Sequence, residues 1–377
     1  MNVLFVADHL KFGGAERHLV AVATGMAQRG HPVDVAYLKA HDELAGELRA
    51  GGVRHLNCCE SRGGIDIRAL RRLAAIIRSQ KPACIVATSQ YSLACAVVAR
   101  WMAGSDARLL FICHSMEHVR RGVSDRRRFA VYRHFYRRAD HVVFVSDLQR
   151  EFFGSLGVRA RSNEVIHNGI DIQRFAPDVV RAEALALRQS LGMARDELVV
   201  GMCAAFREEK RQVDLLEAVA RLRQAGLGAR AVLVGDGLMR AQIEARRDAL
   251  GLRDAVSLCG FQQDVRPFVA ACDVMALTSH AETFPIATLE YMALGKPLVA
   301  SNVGGLAEQV RDGYNGVLYP AGDITALVDG LTRLTDAGVR AEMAKSARAE
   351  VVARFSLGAM IDRFEHTLLG LAGRAAA

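Results

Sequence analysis

Two glutamates with seven residues between them are the first feature that suggests chemistry. Glu282 and Glu290 stand in Ser279-His280-Ala281-Glu282-Thr283-Phe284-Pro285-Ile286-Ala287-Thr288-Leu289-Glu290, directly after the apolar run Val274–Leu277. The run reads as a strand and the segment after it as a helix, with Glu282 in the loop and Glu290 about one turn into the helix. Phe284, Pro285 and Ile286 would then frame the helix N-terminus, where backbone N–H groups lack partners and favour an anion. An acid, a set of free amides and a second acid suit a sugar, a phosphate and a ribose in turn. Either glutamate alone could simply face the helix dipole. The pair, followed by Pro297-Leu298-Val299-Ala300-Ser301-Asn302-Val303-Gly304-Gly305, is harder to read that way.

Other residues of chemical interest also follow apolar runs. Lys210 lies in Phe206-Arg207-Glu208-Glu209-Lys210-Arg211, after Val199–Ala204, where cations could hold a diphosphate or form an ordinary solvated charge cluster. His114 follows Leu109–Cys113 and starts His-Ser-Met-Glu-His; it reads as a group facing a ligand or as a loop or capping histidine. Gly13-Gly14 precedes a helix that begins near Ala15-Glu16, a close-approach loop for an anion or a tight turn needing glycine. Two nucleotide fingerprints fail. Gly235-Asp236-Gly237 continues Leu238-Met239-Arg240 without the third glycine, and Gly295-Lys296 is followed by Pro297, so neither a dinucleotide loop nor a P-loop is present.

These residues need elements to position them, and the chain supplies short β-branched runs alternating with longer amphipathic segments. Val3–Ala7, Val33–Leu38, Cys84–Thr88, Leu109–Cys113 and His141–Val145 read as buried strands, with helices at Glu16–Gln28, Ile67–Ser79 and Ser92–Met102. A second set follows: Val199–Ala204, Ala231–Val234, Val256–Cys259, Val274–Leu277, Pro297–Ala300 and Gly316–Tyr319. Its helices fall at Val213–Ala225, Met239–Leu250, Val265–Ala271, Ala287–Ala293 and Ile324–Thr335. This is α/β alternation twice over, two doubly wound Rossmann-like domains with parallel sheets, joined at about 168–195. The expected division is 1–170 plus the C-terminal helix 356–377, and 190–355. Ligands of such sheets bind beyond the carboxyl ends of the strands, so two domains facing each other would form a cleft there.

With 377 residues, 51% of them hydrophobic and 24% charged, the chain can bury a large core without metal or disulfide support. Residues 1–188 hold 28 Lys and Arg against 18 Asp and Glu, a balance of +10, while the remainder is near neutral. The basic half suggests an anionic partner. Its densest stretch is Arg120–Arg138, where Arg120, Arg121, Arg126, Arg127, Arg128, Arg133, Arg137 and Arg138 interleave with Phe129, Tyr132, Phe135 and Tyr136. The aromatics read as a core-facing stripe; the arginines read as a solvated face or as a dock for anionic lipid headgroups, and no nucleic-acid recognition motif accompanies them. The eight cysteines form no CxxC, which suits reduced core thiols in a cytoplasmic protein. The amino-terminal MNVLFVADHLKFGGAE lacks a signal peptide's basic start, and no stretch approaches the ~20 apolar residues of a membrane span.

Taken in order, Gly13-Gly14-Ala15-Glu16, His114, Asn168-Gly169-Ile170-Asp171, Lys210, Gly235-Asp236-Gly237, Gly260-Phe261, Glu282/Glu290, Met292-Ala293-Leu294-Gly295-Lys296-Pro297 and Gly304-Gly305 resemble family 4 glycosyltransferases of the "group 1" type. The resemblance covers essentially the whole chain. It implies the GT-B fold, with the C-terminal helix crossing back to the first domain, and a retaining hexosyltransferase that uses a nucleotide-sugar donor. It also implies roles. His114, Lys210 and Glu282 would be catalytic: His114 near the anomeric carbon, Lys210 on the leaving diphosphate, Glu282 on the transferred sugar. Gly14, Arg207, Gly235, Phe284, Pro285, Ile286 and Glu290 would bind donor, with Glu290 on the ribose hydroxyls. The family's R-x4-K pattern is broken, since Ala205 stands five residues before Lys210; Arg207 is expected to supply the second cation.

The expected acceptor is a glycan or lipid-linked glycan, as in polysaccharide, lipopolysaccharide or other cell-envelope synthesis, with the protein cytoplasmic or peripheral on the inner face of the cytoplasmic membrane. No cofactor and no metal are expected, because no Asp-x-Asp occurs. Two other readings share these features: a non-hydrolysing nucleotide-sugar 2-epimerase, and a glycan-binding protein with a dead site.

Overall fold

The structure, a computed structural model, describes residues 1–64, 66–114, 130, 132–194 and 196–376. The chain divides into two compact units, Met1–Asn168 with Gly358–Ala377, and Gly169–Leu357.

The first unit holds a seven-stranded sheet of β1 (Val3–Ala7), β2 (Val33–Tyr37), β3 (His55–Cys58), β4 (Cys84–Ala87), β5 (Arg108–Cys113), β6 (His141–Phe144) and β7 (Asn163–Val165). All pairs are parallel, in the order β3-β2-β1-β4-β5-β6-β7. The central strands are apolar throughout because helices cover both faces. The edge strands β3 and β7 were not expected from sequence. Each is short and carries polar residues on partly exposed positions, so neither shows the buried apolar run that marks the others. The helices begin and end on recognisable signals. Asp66 caps Ile67–Gln80 by accepting from the Arg68 and Ala69 amides, and Ser89 and Ser92 form a capping box on Gln90–Ala103, which stops at Gly104 in the left-handed region.

The C-terminal helix Leu357–Ala376 belongs almost wholly to this first unit. Phe364 and Leu368 are fully buried, and Phe364 meets the ring of His18 edge-on at 5.4 Å. Charged contacts flank that seam: Glu365 accepts from Arg29 and lies 2.6 Å from His31 Nε2, and Thr367 donates to Glu164.

The second unit holds β8 (Leu198–Cys203), β9 (Ala229–Val234), β10 (Val256–Leu258), β11 (Val274–Leu277), β12 (Leu298–Ser301) and β13 (Gly316–Tyr319), parallel in the order β10-β9-β8-β11-β12-β13. Ile170 and Ser356 bridge in parallel, and amides of Ile170 and Leu357 bond the carbonyls of Phe355 and Ile170, tying the unit's first and last segments together. In each unit the first strand is flanked by the second on one side and the fourth on the other. Crossover connections leave those two neighbours in opposite directions, which opens a gap at the carboxyl ends.

Phe364→Ala should destabilise the first unit by about 3–5 kcal/mol, the usual cost of emptying a buried phenylalanine site. Urea unfolding followed by circular dichroism measures this; an unchanged midpoint would mean that the helix does not complete that core.

Candidate active site

In the second unit the chemistry gathers at the gap between β8 and β11. The loop after β8 turns through Glu208–Lys210, and Arg211 takes a left-handed conformation, φ +52°, before the helix Gln212–Gln224. The Thr278 hydroxyl, at the end of β11, donates to the carbonyls of Lys210 and Arg211 and so pins that turn to the neighbouring strand. Lys210 Nζ then donates to Glu282 Oε1 at 2.6 Å. The Ser279 hydroxyl donates to the same oxygen at 2.6 Å. Glu282 is buried, 7% exposed at its side chain, and Lys210 is 21% exposed. An ammonium has three protons, so Nζ can hold Glu282 and still offer donors to a second anion.

Close backbone approach frames this pair. A Cβ on Gly304 would lie 1.7 Å from the Glu282 carbonyl oxygen, and Gly304 has φ +53°, so only glycine fits there. Gly235 has φ +141°, and its Cβ would stand 2.0 Å from the Ala204 carbonyl, so the loop after β9 can lie flat on the loop after β8. Four residues beyond Glu282 begins the helix Ile286–Ala293, with Pro285 as its cap and Phe284 buried against Phe355. Tyr291 of that helix locks it to β8: its hydroxyl accepts from the Cys203 amide and donates to the Cys203 carbonyl. Glu290, one residue before, is half-buried. Its carboxylate is close enough to β8 that, after burial itself and Cys272, it helps push the Cys203 thiol well above its ordinary pKa.

The structure therefore brings Lys210, Glu282, Glu290, Gly235 and Phe284–Ile286 to the carboxyl end of one sheet. Arg207 is placed differently: its side chain is 61% exposed and 3.8 Å from Glu209. Ser279, Thr278 and Tyr291 were missed as supports, although Ser279 stood in the quoted segment. Nothing in spacing marks a hydroxyl that folds back on a carboxylate three residues later.

In the first unit, Gly14 opens the helix Gly14–Gln28, with open space where its Cβ would be, and His114 follows β5. Burial lowers the His114 pKa to about 4 and pushes that of His18 well below its usual value, with His114 adding to the second effect. The two rings meet at 4.6 Å and 67°, and both nitrogens of His18 and Nε2 of His114 are buried without a hydrogen-bond partner. His18 was not singled out from sequence; it sits in an ordinary amphipathic pattern. At the gap between β1 and β4 lies a cavity of about 180 Å³ lined by Asp8, Lys39, Ser89, Gln90, Tyr91 and Tyr132, among others. Gln90 is nine-tenths buried; its amide donates to Tyr136 while Oε1 has no partner. Most of the basic stretch Arg120–Arg138 lies outside the described residues. Of it, Tyr136 is fully buried, Tyr132 and Phe135 pack on the core, and Arg133, Arg137 and Arg138 are exposed.

Residues 12–174 match the model for Glycosyltransferase Family 4, and residues 184–350 that for Glycosyl transferases group 1. The chain belongs to the family 4 glycosyltransferases. It is similar to the UDP-Gal:alpha-D-GlcNAc-diphosphoundecaprenol alpha-1,3-galactosyltransferase of Escherichia coli, 28% identical over 53% of this chain and 52% of that protein. The N-acetyl-alpha-D-glucosaminyl L-malate synthase of Bacillus anthracis is 27% identical over 72% of this chain and 70% of its own length. The D-inositol 3-phosphate glycosyltransferase of Salinispora arenicola is 34% identical over 57% and 50%. Apart from the malate synthase, the chain spans about half the length of these curated relatives. Among solved structures, Anabaena HepE in complex with UDP and glucose aligns over 98% of this chain and 100% of that one, at 28% identity and a TM-score of 0.86. Sucrose-phosphate synthase from Thermosynechococcus elongatus, 21% identical with a TM-score of 0.84 over both whole chains, shares the fold. The two parallel sheets and these likenesses show the GT-B fold of this glycosyltransferase family. Among the described residues, no helix is long and apolar enough to cross a membrane.

The histidine pair gives the first unit a pH dependence of known sign. Unfolded, both rings titrate near 6.5; folded, both stay neutral to lower pH, His114 to about 4. Between those values the unfolded chain binds more protons, so stability falls as pH drops from about 6.5 toward 4. Urea midpoints between pH 7 and 4.5 should decline, and less so in a His18→Phe, His114→Phe variant. The same decline in both proteins would place its cause elsewhere.

Proposed function

We propose that this family 4 glycosyltransferase moves a hexosyl group from a nucleotide sugar to an acceptor hydroxyl with retention of anomeric configuration. The observation that carries the reading is the Lys210–Glu282 pair, held at the gap between β8 and β11 just ahead of a helix N-terminus. It supplies a cation for a diphosphate, amides for a phosphate and an acid for sugar hydroxyls. The likeness to a HepE structure that contains UDP-glucose, 27% identical with a TM-score of 0.85, supports a uridine donor.

In this mechanism the bond from the anomeric carbon to the diphosphate oxygen breaks while the acceptor oxygen attacks from the same face. The acceptor proton passes to the departing phosphate. Negative charge grows on the diphosphate as the bond lengthens, and Lys210 Nζ stabilises it there. Glu282, oriented by Ser279 and Gly304, holds hydroxyls of the sugar while charge builds at the anomeric carbon. Glu290 binds the ribose, which is unchanged by transfer. No metal is required in this reading. The roles that the family resemblance implies for His114 and Gly14 are proposed for the first unit, each open to substitution. The acceptor, a glycan or lipid-linked glycan, is proposed to use the cavity beside Asp8 and Gln90, where a carboxylate and the unpartnered Gln90 Oε1 suit hydroxyl donors.

UDP at about 100 times its Kd should stabilise the protein by ~2.7 kcal/mol, read as a thermal shift. Donor converted to its 2-epimer without acceptor would favour the epimerase, and no donor binding at all would favour a dead site. An inverted product, or activity abolished by EDTA, would overturn retention or metal independence.

Lys210→Ala should lower kcat about 10²–10³-fold, the usual cost of losing a transition-state donor. Glu290→Gln should raise donor KM about 10- to 100-fold with little change in kcat, because a contact made equally in ground and transition states appears in KM. Steady-state kinetics on folded variants separates the two. Near-normal kcat in the Lys210 variant would move the leaving-group role to another cation.

A further inference from the structure

The helix Gln90–Ala103 carries a single charged residue, Arg100, in fourteen. Its buried side is Gln90, Ser92, Leu93, Cys95, Ala96 and Ala99. On its other side Tyr91, Ala94, Val98 and Trp101 recur at i, i+3, i+7 and i+10, one face of a helix, and all four are partly or fully exposed. Tyr91 and Val98 pack in part on the core, so the large apolar side chain that this helix turns fully outward is Trp101, where a surface helix normally shows a charged or polar residue. Trp101 is the only tryptophan in the chain and is 81% exposed. Against this helix packs Ile67–Gln80, which carries Arg68, Arg71, Arg72 and Arg78, all exposed, and no acid. Among the described residues Arg72 alone of the four has an acidic partner, Glu60. Arg78 donates to the Met102 carbonyl and is fastened beside the tryptophan, whereas Arg100 is paired with Asp140 at 3.0 Å.

We propose that this face docks on an anionic lipid bilayer, with the Trp101 ring among the headgroups and the arginines on lipid phosphates. Charge complementarity selects an anionic occupant, and guanidinium forks match phosphate oxygens. The exposed indole selects a bilayer over other polyanions, since an amphipathic ring gains from the headgroup–acyl boundary and gains little from a polar partner. This side of the helix runs ~15 Å from Trp101 to Tyr91, and Tyr91 lines the cavity at the sheet's carboxyl end. A bilayer lying along the helix therefore reaches the cavity that a lipid-linked acceptor would enter. The docking itself is independent of the transfer reaction, and its test does not use activity.

The single tryptophan makes the intact protein its own probe. Mixed with vesicles containing phosphatidylglycerol, the protein should shift its emission to shorter wavelength and be quenched by brominated lipid; with neutral phosphatidylcholine vesicles it should do neither. Arg68→Gln and Arg71→Gln, both on the docking face and neither in the active site, should each weaken partitioning about five-fold, and Trp101→Ser should weaken co-flotation in parallel. Co-flotation without an emission change would overturn the assignment of Trp101, and an equal response to neutral vesicles would remove the arginines. Binding to heparin or oligonucleotide but not to vesicles would replace the bilayer with another polyanion. A dimeric mass with short-wavelength emission in the absence of lipid would make the face a contact between copies of the chain.

Discussion

Both units depend on a gap that parallel strand order creates and side chains must fill. Where β8 and β11 lie side by side, their crossovers depart to opposite sides and leave no backbone over the carboxyl ends. In the second unit an ion pair occupies that place. A buried carboxylate is costly unless its charge is met, and Glu282 is met twice on one oxygen, by Lys210 and by Ser279. Meeting it requires a turn at Lys210 fastened by Thr278 and a glycine at 304 where any side chain would strike the Glu282 carbonyl. The Tyr291 hydroxyl on Cys203 then fixes the following helix, so its N-terminus and Glu290 keep their place beside the pair. Removing one member would loosen several others, because each is held by a contact with a neighbour in the same gap.

The first unit solves the same geometry with different chemistry. Its strand order around β1 and β4 matches that around β8 and β11, yet the gap holds an open cavity instead of an ion pair. Nearby, beyond β5, two imidazoles stay neutral because burial removes them from water, and one rests on Phe364 of the C-terminal helix. On the exterior of this unit the arginines of Ile67–Gln80 are exposed beside a helix that turns Trp101 outward. One unit thus closes its gap with a lysine bonded to a buried carboxylate, while the other leaves a cavity lined by Asp8, Lys39 and Gln90.

The sheet strands and the principal helices were legible in the chain because strands buried on both faces must be apolar along their length, and helices between them must be apolar along one side. That pattern placed β1, β4, β8 and β11 within a residue or two of their limits. It could not place β3 and β7, whose edge positions are partly exposed and admit polar residues. Glu282, Glu290 and Lys210 were visible because chemistry needs those residue types after a strand, and family resemblance attached roles to them. What tertiary structure alone decided was which groups meet. Lys210 and Glu282 are 72 residues apart and bond at 2.6 Å only because β8 and β11 are neighbours. His18 and His114 touch because a helix after β1 crosses the end of β5. Trp101 is exposed although Ile67–Gln80 packs against its helix, because it lies on the side away from that contact and from the core. Sequence determines local periodicity, which depends on neighbours along the chain; contact and exposure depend on strand order, which is settled when the whole sheet assembles.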